Sequence, residues 1–148
     1  MIKNIPMNTR IDFVNKLLTI WENSVRETHH FLSEKNLIAI KAEVNDALMS
    51  IENLFVFLKE NEMLGFIGVE NRKIEMLFID TMFRNQGIGK KLVDFSIKNL
   101  NVKYVDVNEQ NHQALDFYLK IGFEIKSRLE LDSQGRNYPL LHLHYYED

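Results

Sequence analysis

Two glycines and several basic residues lie together between residues 84 and 91, where a predicted strand gives way to a predicted helix. Gly87 and Gly89 allow backbone amides to approach a ligand because no Cβ stands in the way. The first turn of a helix leaves N–H groups without partners, and the helix dipole adds positive potential there. The pair Lys90-Lys91 follows directly behind the turn. Together these features predict a site for a small anion such as a pyrophosphate.

Two common phosphate-binding patterns do not fit this turn. A Walker A loop needs glycine at position 84 and Ser or Thr directly after its lysine, where this chain has Arg84 and Lys91. The dinucleotide-binding fingerprint needs a third glycine or an alanine where Leu92 stands. A third pattern, Arg/Gln-x-x-Gly-x-Gly/Ala, is met by Arg84, Gly87 and Gly89. Taken alone, this pattern is also met by a capped helix that follows a strand.

A second segment of spaced polar, aromatic and glycine residues follows further along the chain. Residues 111–123 match the pattern Asn-x-x-Ala-x-x-Phe-Tyr-x-x-x-Gly-Phe. The matching positions are Asn111, Ala114, Phe117, Tyr118, Gly122 and Phe123. Two such segments, in this order and on predicted strand–helix units, resemble the GNAT superfamily of acetyl-coenzyme A-dependent N-acetyltransferases. The specific resemblance covers residues 75–123, and the order of elements agrees along the whole chain.

Two residues of the first segment depart from the family's usual pattern. Thr81 stands where the family often has proline, and this change loosens the loop without removing a ligand group. Asn85 stands where glycine is common. Asparagine tolerates the left-handed backbone region better than other non-glycine residues, so the turn is expected to keep its shape.

The resemblance implies roles for individual residues in binding acetyl-CoA, which is the expected cosubstrate. Backbone groups of Leu77, Phe78 and Ile79 would hydrogen-bond the pantetheine arm and the acetyl carbonyl. Asn111 would contact the cofactor from the facing helix, and Tyr118 would reach the sulfur. Backbone amides would cradle the pyrophosphate along the turn formed by Arg84, Asn85, Gln86, Gly87, Ile88, Gly89 and Lys90. No metal is expected.

Acetyl transfer to an amine needs a neutral nucleophile and a stabilised leaving thiolate. A lysine-like amine has a pKa of about 10.4, so about one molecule in a few thousand is neutral at pH 7. A general base therefore helps, typically by ~10²–10⁴-fold. Because the chain has no cysteine, an acetyl-cysteine intermediate is excluded and direct attack in a ternary complex is favoured.

Three residues are candidate catalytic groups. Tyr118 is the candidate general acid, and its alternative role is a core tyrosine in an apolar helical stripe. Glu75 is a candidate base acting through water, and its alternative is a solvated carboxylate. Strand alternation places Glu75 on the same face as Leu77 unless a bulge intervenes. His29 and His30 end the first predicted helix, where the family places acceptor-side residues, and at most one of them faces the site.

Two further histidines, His142 and His144, alternate on one face of the last predicted strand. They could bind a metal ion, but the sequence shows no third ligand beside them. Solvated histidines on a sheet surface are the favoured interpretation.

These residues require a scaffold in which helices and strands follow one another in a definite order. A first helix is expected after an N-cap at Asn8 or Thr9, with Ile11 in its apolar stripe. A second helix is expected over residues 33–49, with Ser33 as its N-cap. The remaining predicted elements are strands over 54–58, 63–69 and 73–80, a helix over 87–100, a strand over 102–107, a helix over 111–121 ended by Gly122, and a hairpin of strands over 123–131 and 138–146.

This order of elements predicts an α+β, or mixed α/β, fold. The resemblance makes it the GNAT acyl-CoA N-acyltransferase fold, a central, mostly antiparallel sheet flanked by helices. The chain has 148 residues and no internal repeat or Pro/Gly-rich linker, so residues 1–148 are expected to form a single acetyltransferase domain. A monomer or a homodimer is expected.

Composition argues against several other classes of protein. Hydrophobic residues make up 45% and charged residues 26%, which is typical of globular proteins. No apolar run approaches the ~18–20 residues that span a bilayer, and the first residues contain no secretory h-region. A net charge of −3 without a basic stripe argues against nucleic-acid binding. A cytoplasmic enzyme is expected, with acetyl-CoA and an amine acceptor as its partners.

Two alternatives from other functional classes fit the same segments. A protein of this fold could bind acyl-CoA as a sensor without catalysis, although the presence of both Tyr118 and Glu75 favours an enzyme. A structural or interaction domain would use the glycine turn only as a helix cap. The acceptor stays open among a protein lysine or N-terminus, an amino acid, a polyamine and an antibiotic amine, because a fold does not fix it.

Overall fold

Strands and helices occupy most of residues 1–146, the part of the chain that the computed structural model describes. The strands are Ile2–Asn4 (β1), Asn53–Lys59 (β2), Glu62–Glu70 (β3), Lys73–Ile79 (β4), Tyr104–Asn108 (β5), Phe123–Leu129 (β6) and Leu140–Tyr145 (β7). The α-helices are Val14–Thr28 (α1), Glu34–Ser50 (α2), Ile88–Leu100 (α3) and His112–Ile121 (α4). Short 3-10 helices span Met7–Asp12 and Thr81–Phe83.

The strands form one sheet in the order β1-β2-β3-β4-β5-β7-β6. Strands β4 and β5 are parallel, and the other neighbouring pairs of this sheet are antiparallel. Helices α1 and α2 pack on one face of the sheet, and α3 and α4 pack on the other, each pair over its own apolar core. The predicted mixed α/β fold, with a mostly antiparallel sheet flanked by helices, is confirmed.

The turns of the first two hairpins follow from the residues that occupy them. Glu60 and Asn61 have φ angles of 53° and 66°, and Asn71 and Arg72 have φ angles of 52° and 66°. Two successive left-handed residues match the right-handed twist of the strands that they connect. These turns bring β2, β3 and β4 side by side, as their sequence pattern predicts.

The predicted start of the first helix is wrong. The segment Met7–Asp12 is a 3-10 helix, and α1 begins only at Val14. Ile11, a predicted member of the apolar stripe, is exposed. The reason lies in Arg10, whose side chain is buried and donates to the carbonyls of Ile5 and Leu48 at 3.2 Å each. Arg10 thereby fixes this segment against the C-terminal turn of α2.

Other differences concern short elements and their ends. The sequence does not predict β1, because three residues are too few to show the alternation of a strand. This strand nevertheless pairs with Phe55–Phe57 of β2. Strand β5 begins at Tyr104 rather than Val102, and the last hairpin is shorter than predicted at both strands. The Ser33 N-cap is confirmed, since its hydroxyl accepts a hydrogen bond from Asn36 N at 3.1 Å.

Candidate active site

The sheet opens between its two parallel strands. In the described chain, β4 and β5 pair at Lys73 with Tyr104 and at Ile74 with Val105, and at no later position. Beyond these residues β4 stays paired with β3 as far as Ile79, whereas β5 pairs with β7. The resulting opening lies next to the two segments that the sequence singles out.

The backbone of β4 directs alternate hydrogen-bonding groups into this opening. Asp80 N donates to Leu64 O at 2.8 Å, which fixes the phase of the antiparallel ladder with β3. In such a ladder, every second residue turns its N–H and C=O away from the partner strand. Leu77 and Ile79 therefore turn theirs toward the opening, whereas Phe78 turns its groups toward β3. Of the three predicted backbone ligands, the geometry favours Leu77 and Ile79.

The turn before α3 has the backbone conformation that its residues predict. Asp80 Oδ1 accepts from Met82 N at 3.0 Å and caps the short 3-10 helix. Asn85 and Gly87 are left-handed, with φ angles of 63° and 79°. Gly87 is the N-cap of α3 without a capping side chain, and its carbonyl accepts from Lys91 N at 3.0 Å. The earlier N–H groups of this first turn have no acceptor inside the helix.

The two glycines of the turn are needed for different reasons. A Cβ on Gly87 would meet no atom within 4 Å, so this glycine is required by its positive φ. A Cβ on Gly89 would lie 3.3 Å from the ring of Phe117. Gly89 therefore allows α3 and α4 to pack closely, a role that the sequence did not indicate.

The basic side chains around the turn already have partners in the protein. Arg84 donates to Glu27 at 3.0 Å and to the hydroxyl of Ser24 at 3.3 Å, both on α1. Lys90 pairs with Asp94 at 2.7 Å, one helical turn further along α3. The Arg84 side chain thus holds the turn against α1, and the backbone amides are the groups that the turn offers to an anion.

Tyr118 lies on α4 with its ring buried between two aromatic neighbours. The ring centroids of Phe117 and Phe123 are 5.0 and 5.4 Å from its own. The hydroxyl makes no hydrogen bond within residues 1–146, and it is not sealed from the protein surface. Burial raises the pKa of the Tyr118 phenol, which keeps the proton on the oxygen. A buried hydroxyl seeks a hydrogen-bond partner, so this one is suited to donate to a ligand.

A chain of hydrogen bonds joins the end of α1 to the start of α4. Thr28 Oγ1 donates to Ser24 O at 2.8 Å and also lies 2.8 Å from His29 Nδ1. The hydroxyl proton is already used, so His29 Nδ1 carries the hydrogen and Nε2 is the acceptor. Nε2 lies 3.2 Å from Asn111 Nδ2, while Asn111 Oδ1 caps α4 by accepting from Ala114 N at 3.1 Å. Two predicted site residues, His29 and Asn111, are thereby brought together.

The environment of His29 keeps its imidazole neutral. Burial, with the positive charge of Arg84 as a further cause, lowers the pKa of His29 to about 4. A neutral imidazole is the form that a base requires, but its acceptor nitrogen is engaged by Asn111. The neighbouring His30 is exposed.

Glu75 lies at a β-bulge, which interrupts the alternation of side chains along β4. The register of β3 against β4 shifts there and leaves Glu75 as the extra residue. Its carboxylate lies 3.7 Å from Lys73 Nζ, on the α1–α2 face, whereas Leu77 packs into the core under α3 and α4. Glu75 and Leu77 therefore do not share a face. Burial raises the pKa of the Glu75 carboxyl, which makes it a stronger base than a solvated carboxylate.

One polar group at this site was missed by sequence reasoning. His142 on β7 lies directly opposite Asp106 on β5, and its Nδ1 is bonded to Asp106 Oδ1. Lys73 Nζ lies 2.6 Å from the other oxygen of Asp106. His142 is therefore a partly exposed histidine that is paired with a carboxylate. The alternation of each strand indicates the face of these residues, but the register that brings them together cannot be read from the sequence.

The fold and this arrangement define a GNAT acetyltransferase. A family model described as "Acetyltransferase (GNAT) domain" matches residues 19–135, and the chain belongs to this family. The expected N-acetyltransferase class and the family are thereby confirmed.

Individual relatives are similar over nearly the whole chain. The peptidyl-lysine N-acetyltransferase YjaB of Salmonella typhimurium is 39% identical over 130 residues, which cover 88% of this chain and 90% of that protein. The solution structure of apo YjaB from Escherichia coli has a TM-score of 0.88 at 33% identity and covers 100% of this chain and 98% of the other. A GNAT acetyltransferase of Elizabethkingia anophelis with acetyl-CoA bound has a TM-score of 0.59 at 21% identity, over 72% of this chain and 83% of that one.

Neither a membrane-spanning helix nor a metal-binding cluster occurs in the described chain. None of the helices within residues 1–146 is both long and apolar enough to span a bilayer. No group of three or more His, Asp and Glu side chains in that range is placed to hold a metal ion.

Proposed function

We propose that this protein transfers the acetyl group of acetyl-CoA to lysine side chains of proteins, in a ternary complex without a covalent enzyme intermediate. The observation that carries the proposal is the opening between β4 and β5, with the glycine turn at the start of α3 and Tyr118 on the same side of the sheet. Relatives described as peptidyl-lysine N-acetyltransferases support lysine as the acceptor. Residues 1–148 would act as one domain, as a monomer or a homodimer.

Acetyl-CoA would bind with its thioester arm along β4 and its pyrophosphate at the glycine turn. Backbone groups of Leu77 and Ile79 face the opening and would pair with the amides of the pantetheine arm. Asn111 would bind the arm from α4 once its amide leaves His29. The pyrophosphate would be held by backbone amides from the run Arg84, Asn85, Gln86, Gly87, Ile88, Gly89 and Lys90, where the first turn of α3 has unsatisfied N–H groups.

The reaction begins with attack of the neutral amine on the carbonyl carbon of the thioester. The N–C bond forms, the C–S bond breaks, and the amine loses a proton to a base. Tyr118 donates a hydrogen bond to the leaving sulfur. An ordinary phenol has a pKa of about 10, already above that of an ordinary thiol, about 8.5, and burial raises the pKa of Tyr118 further. The thiolate is therefore stabilised by the hydrogen bond rather than by complete proton transfer. This interaction strengthens as charge develops on sulfur and therefore favours the transition state.

Glu75 and His29 are the predicted proton acceptors, and their environments differ. Glu75 has a raised pKa and lies at the point where β4 leaves β5. His29 is neutral, but its acceptor nitrogen is engaged by Asn111 until that contact opens. Glu75 is thus the more accessible of the two, acting through water.

The proposal is tested by mixing the protein with acetyl-CoA and a lysine peptide with blocked termini, and by measuring thiol release and peptide acetylation. Spermidine, a free amino acid and an aminoglycoside serve as comparison acceptors. Acetylation of the blocked peptide at the highest kcat/KM supports a protein-lysine acetyltransferase. Acetyl-CoA binding without thiol release for any amine would instead indicate an acyl-CoA sensor. Because acetyl-CoA and protein lysines are both abundant in the cytoplasm, we expect the enzyme to act there.

A further inference from the structure

Asp106 and His142 form a carboxylate–imidazole pair on the face of the sheet that carries α1 and α2. They are cross-strand partners on β5 and β7. Their neighbours Val105 and Leu143 point into the opposite core, under α3 and α4, which places the pair on the other face. Tyr118 belongs to that opposite core, so the pair and the tyrosine lie on different sides of the opening.

The carboxylate determines which nitrogen of His142 is basic. Asp106 accepts the hydrogen bond of Nδ1, so Nδ1 carries the hydrogen and the lone pair is on Nε2. No residue in the described part of the chain forms a hydrogen bond with Nε2 of His142. The same division of roles lets a carboxylate orient a catalytic histidine in hydrolases. His142 thus has an oriented, unoccupied basic nitrogen, whereas the corresponding nitrogen of His29 is engaged.

His142 lines a cavity of about 330 Å³ together with Lys73, Tyr104, Ser127 and His144. The cavity adjoins the two paired positions of β4 and β5, because Lys73 pairs with Tyr104 there and Ile74 pairs with Val105 at the next position. It therefore lies where the sheet begins to open, on the side opposite the glycine-turn helices α3 and α4. An acceptor entering from this side would meet the thioester in the opening.

The charged side chains around His142 are one lysine and two carboxylates. Lys73 is the cation of the group, 2.6 Å from Asp106 and 3.7 Å from Glu75. Apart from His142, this cation and the two carboxylates leave a net charge of −1 beside the imidazole. His144 on the same strand and Tyr104 on β5 are the other titratable groups that line the cavity, and Ser127 of β6 does not titrate.

We propose that the cavity receives the acceptor amine and that His142, oriented by Asp106, takes the amine proton. This assignment rests on the proposed acetyl transfer. The amine nitrogen forms the new bond to the acetyl carbon, one of its protons passes to His142 Nε2, and coenzyme A leaves as the sulfur accepts the hydrogen bond of Tyr118. The proton returns to solvent through the open cavity. Asp106 is a positioning residue. In this assignment His142 replaces Glu75 as the acceptor of the amine proton, and Glu75 contributes its charge through Lys73.

The decisive variant is His142→Asn. The asparagine amide can still donate to Asp106 in place of Nδ1, while the basic Nε2 is lost. With acetyl-CoA and a blocked lysine peptide, we expect kcat to fall by about 10²–10³-fold at pH 7. Acetyl-CoA affinity by calorimetry is expected to stay within about twofold, and the ascending limb of the pH profile of kcat/KM is expected to change shape. His30→Asn, an exposed histidine outside the cavity, is the matched control.

Chemical rescue distinguishes a base from a structural residue. In His142→Ala, added imidazole is expected to raise kcat at least tenfold. The same concentration of imidazole is expected to leave the kcat of Glu75→Gln unchanged. Asp106→Asn is expected to lower kcat less than His142→Asn and to change the imidazole tautomer of His142 in nitrogen NMR spectra.

The possible outcomes separate the two proposals. A His142→Asn enzyme with full kcat and an unaltered pH profile would overturn the role of His142 and leave acetyl transfer intact. A folded His142→Asn protein whose loss is entirely in acetyl-CoA affinity would also overturn it. If the wild-type protein transfers acetyl to no amine, the proposed function fails, and the role of His142 fails with it. Loss of kcat with imidazole rescue supports both.

Discussion

His29 Nε2 accepts a hydrogen bond from Asn111 Nδ2 at 3.2 Å and so connects the two faces of the molecule. The imidazole follows the end of α1, and the amide is the N-cap of α4. This bond requires a neutral imidazole, because a protonated His29 would present an N–H to the N–H of the amide. The lowered pKa of His29 and this contact therefore support each other.

The first prediction concerns stability at mildly acidic pH. The folded pKa of His29, about 4, lies below the ordinary value of 6.5, so the unfolded chain binds the proton more readily. Stability should fall as the pH decreases from about 6.5 to about 4, and His29 should contribute no slope above that window. From pH 7 to pH 5 the loss due to His29 is at most about 2 kcal/mol.

Urea unfolding of wild type and His29→Gln at pH 5 and pH 7 measures this contribution. The difference between the two pH values is expected to be smaller in the variant. His30→Gln, an exposed neighbour, serves as the control. Equal pH dependence in wild type and His29→Gln would show that the imidazole is not held neutral by the fold.

Tyr118→Phe deletes one oxygen and leaves the ring in its aromatic packing. If the hydroxyl stabilises the leaving thiolate, kcat falls by roughly 10- to 1000-fold, or ~1.4–4 kcal/mol. Acetyl-CoA affinity changes little, since the sulfur gains charge only in the transition state. Steady-state kinetics and calorimetry measure the two quantities, with Tyr146→Phe as an exposed control. An undiminished kcat in Tyr118→Phe would show that water or another group stabilises the leaving thiolate.

Acetyl-CoA and CoA are expected to stabilise the fold through the glycine turn. Ligand at one hundred times Kd adds ~2.7 kcal/mol, or roughly 5–11 °C in Tm for a chain of this length. Absence of a shift at millimolar CoA would contradict cofactor binding.

Gly87→Ala tests whether that turn is the binding element. Gly87 and Gly135 have the same φ of 79°, and a Cβ on either would meet no atom within 4 Å, so alanine strains both turns alike. Both variants should lose similar stability, whereas only Gly87→Ala should weaken CoA binding, by at least tenfold. Equal CoA affinity in the two variants would show that the pyrophosphate does not bind at the start of α3.

Arg10→Met tests the contact that fixes the N-terminal segment. Methionine keeps an extended apolar side chain but leaves the carbonyls of Ile5 and Leu48 without their donor. The free energy of unfolding should fall by roughly 1–3 kcal/mol, measured by urea titration. Lys35→Met, an exposed substitution on α2, should change it by no more than about 0.5 kcal/mol. If the two variants prove equally stable, the buried guanidinium is not what orders this segment.

Local signals in the sequence predict most of the scaffold. Ser33, Gly122 and the left-handed turn residues each act on their own backbone, so their positions mark the ends of elements without knowledge of the fold. The parallel pairing of β4 with β5 and its early end are set by packing between distant segments. The opening that would receive the cofactor therefore follows from the resemblance and not from any local pattern.

The site residues also fall into two groups, those set by local backbone chemistry and those set by strand register. The left-handed conformation of Asn85 and the capping by Asn111 follow from local backbone chemistry. The bulge at Glu75 and the pairing of Asp106 with His142 depend on strand register, which a one-residue shift would change. The burial of Arg10 could not be predicted from the sequence either, because one of its carbonyl partners, Leu48, lies 38 residues further along the chain.

Acetyl transfer from acetyl-CoA to a lysine amine can be followed in a single assay that records both products. Wild-type protein, acetyl-CoA and a lysine peptide with blocked termini are incubated, and thiol release is followed together with the mass of the peptide. We predict one acetyl group added per thiol released, and a rate that falls at least tenfold in Tyr118→Phe. Thiol release without acetylated peptide, or no release while acetyl-CoA binds, would contradict it.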